Sequence, residues 1–420
     1  MNSTNTSPVR EAIILAGGLG TRLRSVVSDL PKCMAPVADR PFLYYVINQL
    51  RLQGVERFIF SLGYKHEYIG QYLAEQFPTL QYECSIEDEP LGTGGAIRLA
   101  INLSTAKSVL IANGDTLFKA DLDKVYHAHQ QHKSVCTLAL KPMQRFDRYG
   151  VVEIDANQTI TAFHEKKYYE EGLINGGIYL VNANQFREND FPEKFSFEKD
   201  YLEQAYTKKT IHGVIDDGYF IDIGIPEDFQ KANTDLKRPV FDLKKIDQSW
   251  TLFLDRDGVI NHDKVGSYIF NPDEFRFYDQ VPEAMQKLAA RFGRLIIATN
   301  QRGVGRGLMS VQDLRDVHQK MRNGIVAKGG RLDAIFYASS IDNKDRLRKP
   351  NPGMALEAKK KFPEIDFSRS VMVGNNISDM QFGRNAGMFT VFLTTTQQVS
   401  PDHPEIDLVF NSLPEFAKAL

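Results

Sequence analysis

The sequence predicts an α/β protein with two domains, and three observations support this prediction. Short β-branched and apolar runs alternate with helical patterns along the chain, which is typical of largely parallel sheets layered with helices. The chain has 420 residues, too many for one ordinary domain of roughly 150 residues. A charged segment containing Pro239 separates two apolar strand starts. We therefore predict a first domain over residues 1–238, a linker over 239–249 and a second domain over 250–420.

In the first domain, strands and helices are predicted to alternate. A helix over residues 41–52 begins with Pro41, which suits a first helical turn, and stops before Gly54. The predicted strands are short apolar runs at residues 11–15, 57–62, 108–112, 135–140 and 177–181.

In the second domain, the same alternation continues. Buried strands are predicted at residues 252–254, 295–298 and 371–373. Helices are predicted from about Pro282 and from Ser310, where Ser310 and Asp313 would form a capping box.

The composition excludes several classes of protein. The net charge of -2 lacks the basic excess of a nucleic-acid-binding protein, so we expect no nucleic-acid partner. The three cysteines form no CxxC pair, so neither a disulfide framework nor a structural zinc site is indicated. No run approaches the roughly 20 apolar residues of a membrane span, and the N-terminal residues lack the apolar core of a signal peptide. We therefore predict a cytoplasmic protein without a membrane partner.

A glycine-rich loop, GGLGTR at residues 17–22, follows the first predicted strand. Glycines expose backbone N–H groups to a phosphate, and Arg22 adds a cationic fork. A tight strand-to-helix turn is the alternative explanation of the glycines alone. The loop lacks the Gly-Lys-Ser/Thr ending of a P-loop and the third in-phase glycine of the dinucleotide pattern, so it is a loop of another kind.

Together with LPKCMAPV at residues 30–37, this loop resembles the sugar-1-phosphate nucleotidyltransferases. The resemblance implies a Rossmann-like α/β sheet and a reaction that joins a nucleoside triphosphate to a sugar 1-phosphate, releasing pyrophosphate. It implies nucleotide contacts from Leu15, Gly17, Gly18, Gly20, Thr21, Gly92, Thr93 and Asn113. It also implies catalytic cations at Arg22 and Lys32, Mg²⁺ ligands at Asp115 and Asp222, and a sugar-phosphate side formed by Glu165, Lys166, Asn175 and Gly176.

Such a reaction explains these residue types. The attack of a sugar phosphate oxygen on the α-phosphate brings two anions together. Two carboxylates that hold a divalent cation, with Arg22, Lys32 and Lys166 nearby, would screen that charge.

Residues 15–43 most resemble the heptose 1-phosphate guanylyltransferases, with the mannose 1-phosphate guanylyltransferases as close relatives. Glu89 precedes the second nucleotide loop, and its carboxylate could accept hydrogen bonds from the N1–H and amino group of guanine. The alternative is that Glu89 is a solvated acid in the run Glu87-Asp88-Glu89. We predict GTP and heptose 1-phosphate as the substrates.

A second candidate site begins at Asp255-Arg256-Asp257-Gly258-Val259, directly after a predicted strand. Taken alone, this pattern also fits a Ca²⁺-binding loop or an Asx turn. Three later segments decide between these: ATN at residues 298–300, KP at 349–350 and GNNISD at 374–379. In this order they resemble the four motifs of the haloacid dehalogenase-like phosphatases, and most closely the branch with heptose bisphosphate and histidinol phosphate phosphatases.

This second resemblance implies a second Rossmann-like domain and a role for each motif. Asp255 would be the nucleophile and Asp257 the general acid and base. Thr299 and Asn300 would bind phosphoryl oxygens, with Lys349 beside the nucleophile and Arg306 at the remote part of the substrate. Mg²⁺ would be bound by Asp255, Asp257, Asn375 and Asp379.

Two features depart from that family. Residues 337–348 contain neither Cys nor His where heptose bisphosphate phosphatases usually carry a zinc loop, so we expect no zinc. Asn375 stands where a metal-binding Asp is usual, and a neutral amide binds Mg²⁺ more weakly than a carboxylate. We predict an active phosphatase, with weakened or lost activity as the alternative.

Both sites together predict a bifunctional enzyme of nucleotide-sugar synthesis. The second domain would remove the 7-phosphate of manno-heptose 1,7-bisphosphate, and the first would convert heptose 1-phosphate and GTP to GDP-heptose for lipopolysaccharide, capsule or S-layer glycan. The alternative is a guanylyltransferase for mannose or another hexose 1-phosphate, with a regulatory second domain. The sequence leaves homo-oligomerisation open.

Overall fold

The chain forms two compact units, Met1–Arg238 and Pro239–Leu420. A computed structural model describes residues 9–18, 30–264, 266–400 and 403–420. Each unit has its own sheet and its own hydrophobic core. In the part of the chain described, every helix is too short or too polar to span a membrane.

The first unit alternates strands and helices along most of its length. Its strands are β1 (Glu11–Leu15), β2 (Pro36–Val37), β3 (Arg40–Pro41), β4 (Arg57–Leu62), β5 (Gln81–Ile86), β6 (Ser108–Asn113), β7 (Thr116–Phe118), β8 (Cys136–Phe146), β9 (Val152–Ile154), β10 (Ile160–Phe163), β11 (Tyr169–Asn182), β12 (Ile211–Ile215) and β13 (Phe220–Asp222). Its helices are α1 (Phe42–Leu52), α2 (His66–Gln76), α3 (Gly92–Ile101), α4 (Leu122–His132), α5 (Ala183–Arg187), α6 (Glu203–Ala205) and α7 (Pro226–Asp235). A π-helical segment covers Phe197–Leu202.

The main sheet of this unit runs in the order β12-β8-β11-β6-β1-β4-β5. The ladders from β6 through β1 and β4 to β5 are parallel, whereas β11 is antiparallel to both β6 and β8. The chain passes from β1 to β4 and β5 and then returns to β6 on the other side of β1. Open α/β sheets bind ligands at the carboxyl ends of strands beside such a reversal, so β1 and β6 mark the expected crevice.

Hydrophobic residues cover both faces of this sheet, because successive strand residues point to opposite sides. Ile14 of β1 packs in a cluster with Phe42 and Ile47 of α1. Ile13 belongs to a second cluster with Ile97 of α3. These side chains are fully buried, and burial of each contributes roughly 1.5–3 kcal/mol.

The second unit is a smaller α/β layer structure. Its strands are β14 (Thr251–Leu254), β15 (Arg294–Asn300), β16 (Ala334–Ala338), β17 (Ser370–Gly374), β18 (Phe389–Leu393) and β19 (Leu408–Phe410). Its helices are α8 (Val281–Arg291), α9 (Arg302–Gly305), α10 (Val311–Ala327), α11 (Gly353–Lys361), α12 (Ile377–Ala386) and α13 (Leu413–Ala419).

The sheet of the second unit has the order β16-β15-β14-β17-β18-β19, and all of these ladders are parallel. Leu252 and Leu254 of β14 face a cluster with α8, α10 and α13, whereas Phe253 faces α11 and α12. The strand order reverses between β14 and β17. The carboxyl ends of β14, β15 and β17 therefore form the expected crevice of this unit.

The predicted α/β class with Rossmann-like sheets is confirmed in both units. The capping box of Ser310 and Asp313 is present at the start of α10. Pro41 differs from its prediction: its ψ of 142° is extended, so it ends β3 and α1 begins at Phe42. Within residues 239–249, Phe241 stacks on Phe389 and Ile246 is buried, so this segment packs within the second unit.

Candidate active sites

A cavity of about 790 Å³ opens at the carboxyl ends of β1 and β6. The residues of its lining that the sequence predicts for the site are Leu15, Gly17, Gly18, Lys32, Glu89, Gly92, Thr93, Asn113 and Asp115. Gly20, Thr21 and Arg22 lie outside the described residues. A cavity of this size accommodates a ligand as large as a nucleotide.

At the first glycine of the loop, the backbone passes close to its neighbours. A Cβ on Gly17 would lie 3.0 Å from Glu87 Oε1 and 3.1 Å from the backbone nitrogen of Gly63. At Gly18 a Cβ would meet nothing within 4 Å. A side chain at Gly17 would therefore press on the Glu87 carboxylate and the Gly63 backbone, whereas Gly18 leaves open space beside the cavity.

Three charged side chains from distant parts of the chain meet at the edge of this cavity: Lys32 and Asp115 line it, and Asp222 contacts Lys32 from outside the lining. Lys32 Nζ donates to Asp115 Oδ2 at 2.6 Å and to Asp222 Oδ1 at 3.0 Å. Asp222 reaches this point because β13 pairs with β7, which sets Asp222 opposite Thr116. Burial lowers the pKa of Lys32, but the two carboxylates together outweigh burial and raise it above its ordinary value.

The geometry of these two carboxylates fits a divalent cation, because both already converge on one positive charge. Mg²⁺ is commonly bound through one or two carboxylates, with water and substrate phosphates as the other ligands. Asp115 and Asp222 would hold it. Among the described residues no cluster of three or more His, Cys, Asp or Glu side chains is arranged for a metal, so phosphate oxygens and water would complete the coordination.

The second glycine loop begins α3 and is packed tightly. The carbonyl of Phe195 accepts the N–H of Gly94 at 3.0 Å, and a Cβ on Gly94 would lie 2.2 Å from the Phe195 ring. Thr93 lines the cavity, and its hydroxyl donates to Glu198 Oε2 at 2.7 Å. The N–H of Gly94 is already bonded to a protein carbonyl, so it is not available to bind a phosphate. This loop therefore shapes the cavity wall and contributes the Thr93 side chain to it.

On the predicted sugar-phosphate side, residues are divided between the sheet and an exposed loop. Asn175 Nδ2 donates to the Tyr179 hydroxyl at 2.9 Å, and Asn175 Oδ1 accepts the N–H of Gly177 at 3.0 Å. Gly176 packs on Phe118, whose ring a Cβ would meet at 2.3 Å. Glu165 and Lys166 are exposed and do not line the cavity, so their sugar-binding role stays a prediction.

The second candidate site lies at the tip of β14. Lys349 Nζ is 2.9 Å from Asp255 Oδ1 and 2.7 Å from Asp379 Oδ1. Burial raises the pKa of Asp255 to about 6, although Lys349 opposes this shift. Burial lowers the pKa of Lys349, but the neighbouring carboxylates outweigh it, so Lys349 remains charged beside Asp255.

Asp257 is fixed by a set of donors that converge on its carboxylate. Arg256 Nη2 lies 2.9 Å from both carboxylate oxygens, Asn261 Nδ2 donates at 3.0 Å and Gln301 Nε2 at 2.8 Å. Burial raises the pKa of Asp257, but Arg256 and these hydrogen bonds outweigh burial and lower it. Arg256 is fully buried and rests against His318 Nε2 at 3.2 Å.

Thr299 and Asn300 link the second and third motifs to this centre. Thr299 Oγ1 accepts a hydrogen bond from Gln301 Nε2 at 3.0 Å. Asn300 Oδ1 accepts the backbone N–H of Lys349 at 3.1 Å. The predicted phosphoryl-binding residues thus lie beside the predicted nucleophile and acid.

The last motif contributes the amide of Asn375 and the carboxylate of Asp379, and the two side chains have different surroundings. A Cβ on Gly258, whose φ is +79°, would lie 2.0 Å from Asn375 Nδ2, so the Asn375 amide packs directly on the Asp257-Gly258 turn. Asp379 Oδ2 accepts the N–H groups of Asn375 at 3.2 Å and Asn376 at 3.1 Å. The amide oxygen of Asn375 and the Asp255 carboxylate offer the oxygen chemistry that Mg²⁺ prefers.

Three arginines gather beside this centre. Burial and then the neighbouring charge of Arg302 lower the pKa of Arg348, and Arg306 contributes further. The guanidinium of Arg306 lies over the Tyr268 ring, 5.9 Å from its centroid. Arg302 Nε and Arg348 Nη1 are buried without a hydrogen-bond partner among the described residues. Three guanidinium charges so close together favour an anionic ligand at this position.

Several site residues escaped the sequence analysis. Glu198 contacts Thr93 across 105 positions of the chain, and His318 contacts Arg256 across 62. Gln301 follows directly after ATN, so its position beside a motif was the one available signal. No local pattern marks the other two.

Each unit matches a family of known proteins. Residues 11–238 match the nucleotidyl transferase family, and the chain belongs to it. Residues 251–414 match the polynucleotide kinase 3 phosphatase family.

Individual relatives of the first unit are more specific. A D-glycero-α-D-manno-heptose 1-phosphate guanylyltransferase of Aneurinibacillus thermoaerophilus is 52% identical over 227 residues, which cover 54% of this chain and 98% of the relative. An enzyme of the same name from Campylobacter jejuni is 45% identical, over 52% of this chain and 96% of that protein.

The crystal structure of HddC from Yersinia pseudotuberculosis, complexed with GMP-PN, is 37% identical with a TM-score of 0.50 and covers 55% of this chain and 100% of that one. These matches confirm the predicted resemblance to a heptose 1-phosphate guanylyltransferase joined to a phosphatase-like domain.

Proposed function

We propose that this chain is a bifunctional enzyme of GDP-heptose synthesis. Its second unit removes the 7-phosphate of manno-heptose 1,7-bisphosphate, and its first unit transfers GMP from GTP to the heptose 1-phosphate that remains. The observation that carries the transferase step is the convergence of Asp115 and Asp222 on Lys32, which together with Asp115 lines a cavity of about 790 Å³. The heptose assignment rests on the relatives of the first unit.

In the transferase step, an oxygen of the sugar phosphate forms a bond to the α-phosphorus of GTP, and the bond to pyrophosphate breaks. Mg²⁺ held by Asp115 and Asp222 would withdraw electron density from the phosphoryl group. Lys32 neutralises charge on the phosphates as they approach. Thr93 and Asn113, which line the cavity, orient the nucleotide.

In the phosphatase step, the Asp255 carboxylate forms a bond to phosphorus while the bond to the sugar oxygen breaks. Asp257 gives its proton to that oxygen and then takes a proton from the water that hydrolyses the aspartyl phosphate. Lys349, 2.9 Å from Asp255, stabilises the phosphoryl charge. Burial raises the pKa of Asp257, but Arg256 and the hydrogen bonds from Asn261 and Gln301 outweigh burial and lower it, which favours the carboxylate that takes the proton from water.

A bisphosphate carries a second anion away from the reacting one, and the arginines beside the centre suit that anion. Arg302 Nε and Arg348 Nη1 are buried and find no acceptor within the described ranges. A phosphate on the far end of the sugar would pair with the positive charge of these arginines. This arrangement supports a sugar bisphosphate as the substrate of the second unit, rather than a sugar with one phosphate.

The proposal extends to cofactors and setting. Mg²⁺ is proposed at both sites, held in the second unit by Asp255, the Asp257 carbonyl and Asn375. GDP-heptose would supply lipopolysaccharide, capsule or S-layer glycan, and a cytoplasmic location stays a prediction.

Product analysis tests the function. The full chain is incubated with manno-heptose 1,7-bisphosphate, GTP and Mg²⁺, and the parent is expected to form GDP-heptose, phosphate and pyrophosphate. Asp255→Asn should leave the bisphosphate unchanged, and Asp115→Asn should accumulate heptose 1-phosphate. Faster turnover of mannose 1-phosphate than of heptose 1-phosphate would favour the hexose alternative. GDP-heptose 7-phosphate formed by the parent would contradict the proposed order of steps.

A further inference from the structure

The amide of Asn375 is held in one orientation by a neighbouring loop. Asn375 Nδ2 donates to Thr396 Oγ1 at 2.8 Å, and Gln397 Nε2 donates to the backbone carbonyl of Asn375 at 2.9 Å. Thr395 donates from its hydroxyl to the Gly258 carbonyl. The segment 395–397 therefore contacts both the Asp257-Gly258 turn and Asn375. Within the described residues no donor reaches Asn375 Oδ1, which leaves its lone pairs for another ligand.

Asp379 cannot easily replace Asn375 as an oxygen ligand, because its carboxylate is already engaged. Its Oδ1 lies 2.7 Å from Lys349 Nζ. Its Oδ2 accepts the N–H of Asn376, which completes the α12 capping box, and also the N–H of Asn375. The Asp379 side chain is 2% exposed. If Asp379 bound the cation, it would lose these bonds, and buried donors left without an acceptor reduce the stability of the fold.

An amide and a carboxylate differ in how they must be oriented toward a cation. A carboxylate has two equivalent oxygens, so either rotamer presents an anion. An amide has one oxygen and one NH₂ group, and the NH₂ group repels a cation. An asparagine that takes the place of an acid therefore needs a neighbour that fixes which end faces the metal.

We propose that Thr396 is a positioning residue for metal binding in the second unit: its hydroxyl oxygen accepts from Asn375 Nδ2 and so directs Asn375 Oδ1 to the cation. This inference rests on the proposed phosphatase function. It explains how a neutral side chain serves at a position where an acid is expected. Outer partners of metal ligands commonly change metal affinity by about 10–100-fold.

The test measures Mn²⁺ binding by electron paramagnetic resonance, because Mn²⁺ accepts the same oxygen ligands as Mg²⁺. The full chain carries D115N and D222N, so that the carboxylates of the first unit do not contribute. Thr396→Val, which keeps the shape and removes the hydroxyl, is compared with Thr396→Ser, which keeps the hydroxyl. Each variant is made with Asn375 and again with Asn375→Asp, and D255N identifies the signal of the second unit.

With Asn375 in place, Thr396→Val should weaken Mn²⁺ binding about tenfold and Thr396→Ser by less than about threefold. With Asn375→Asp, Thr396→Val should cost less than about threefold, since either carboxylate oxygen can bind. An unchanged affinity of Thr396→Val, or an equal loss in both backgrounds, overturns the positioning role. If D255N leaves Mn²⁺ binding unaffected in both backgrounds, Asp255 is not a metal ligand and the proposed phosphatase function fails. A loss of binding in D255N together with an unchanged Thr396→Val overturns only the positioning role.

Discussion

At the scale of single residues, both units place a lysine between two aspartates. Lys32 lies between Asp115 and Asp222, whose side chains are 35% and 24% exposed. Lys349 lies between Asp255 and Asp379 and is itself 1% exposed. The first lysine can give up its contacts to a cation and phosphates near solvent. The second one is also a structural counter-charge, because its partners are buried.

This difference predicts different results for the same substitution. Lys349→Met should lower phosphatase activity about 10²–10³-fold and destabilise the second unit by about 3 kcal/mol, because breaking a buried pair leaves charge uncompensated. Lys32→Met should lower transferase activity similarly, yet cost less than about 1 kcal/mol in stability, because its partners are more exposed. Denaturant unfolding followed by fluorescence of Trp250, the one tryptophan of the chain, reports on the second unit. Equal stability of Lys349→Met and the parent would contradict the role of Lys349 as a structural counter-charge.

Glu89 gives a second prediction at this scale. Glu89 and its neighbour Asp88 both line the cavity of the first unit, so they provide a matched pair of acids. Glu89→Gln should reduce the preference for GTP over UTP by about tenfold in kcat/KM, since the amide cannot accept both guanine donors as the carboxylate does. Asp88→Asn should leave the preference unchanged. Competition assays with mixed nucleotides measure it, and equal effects of the two substitutions would show a general charge effect.

At the scale of elements, histidines connect α4 to three strands of the first unit. His129 Nδ1 lies 3.0 Å from Thr137 Oγ1 of β8, and its Nε2 lies 3.3 Å from Ser108 Oγ of β6. His132 stacks on His212 of β12 with 4.4 Å between ring centroids. Burial, and then the charge of His212, lower the pKa of His129 to about 4. This interface is therefore built for neutral imidazole.

These contacts predict acid sensitivity of the first unit. The folded pKa of His129 lies below the unfolded value of about 6.5, so the unfolded chain binds the proton more readily. The stability contributed by neutral His129 is present above about pH 6.5 and is lost as pH falls toward 4. Between pH 7.5 and 5 the loss is about 2 kcal/mol. Hydrogen exchange of peptides from α4 and β8 measures it at both pH values. His129→Gln should be less stable at pH 7.5 but lose less on acidification; equal losses would contradict the assignment.

The elements also show what the sequence could and could not predict. Short parallel strands such as β1 and β4 were predicted with correct bounds, because each is an apolar run that ends at loop residues. The lengths of β8 and β11 were missed, since their outer halves pair with each other as an antiparallel ribbon of mixed polarity. An alternating or mixed pattern there gives little signal until the partner strand is known.

The same reasoning applies to the sites. Asp115, Asp255 and Asn375 were predicted from the two family resemblances, and each lies just after a parallel strand, at the edge where open α/β sheets bind ligands. Contacts such as Asn375 with Thr396 join loops that the sequence does not relate. Side-chain partners of this kind depend on how the loops close, which no periodicity records.

At the scale of the whole molecule, each unit has its own core, and the described residues of each site come from one unit. The contacts of Lys32 lie within residues 1–238, and those of Lys349 within residues 239–420. A unit with its own hydrophobic core can in principle fold and act alone. In the proposed function the two reactions share one intermediate, heptose 1-phosphate, and the described side chains assigned to each reaction come from a single unit.

This independence predicts that inactive chains complement one another. A mixture of Asp255→Asn and Asp115→Asn chains, supplied with manno-heptose 1,7-bisphosphate, GTP and Mg²⁺, should form GDP-heptose. Each variant alone should form none. With the total chain concentration held constant, the mixture has half of each active site, so its steady rate should lie within about twofold of half the parental rate once the intermediate has accumulated. Time courses of GDP-heptose by chromatography measure the rate. A mixture that stays inactive, although each variant retains its other half-reaction, would mean that both sites must act on one chain, because the intermediate then fails to pass through solution.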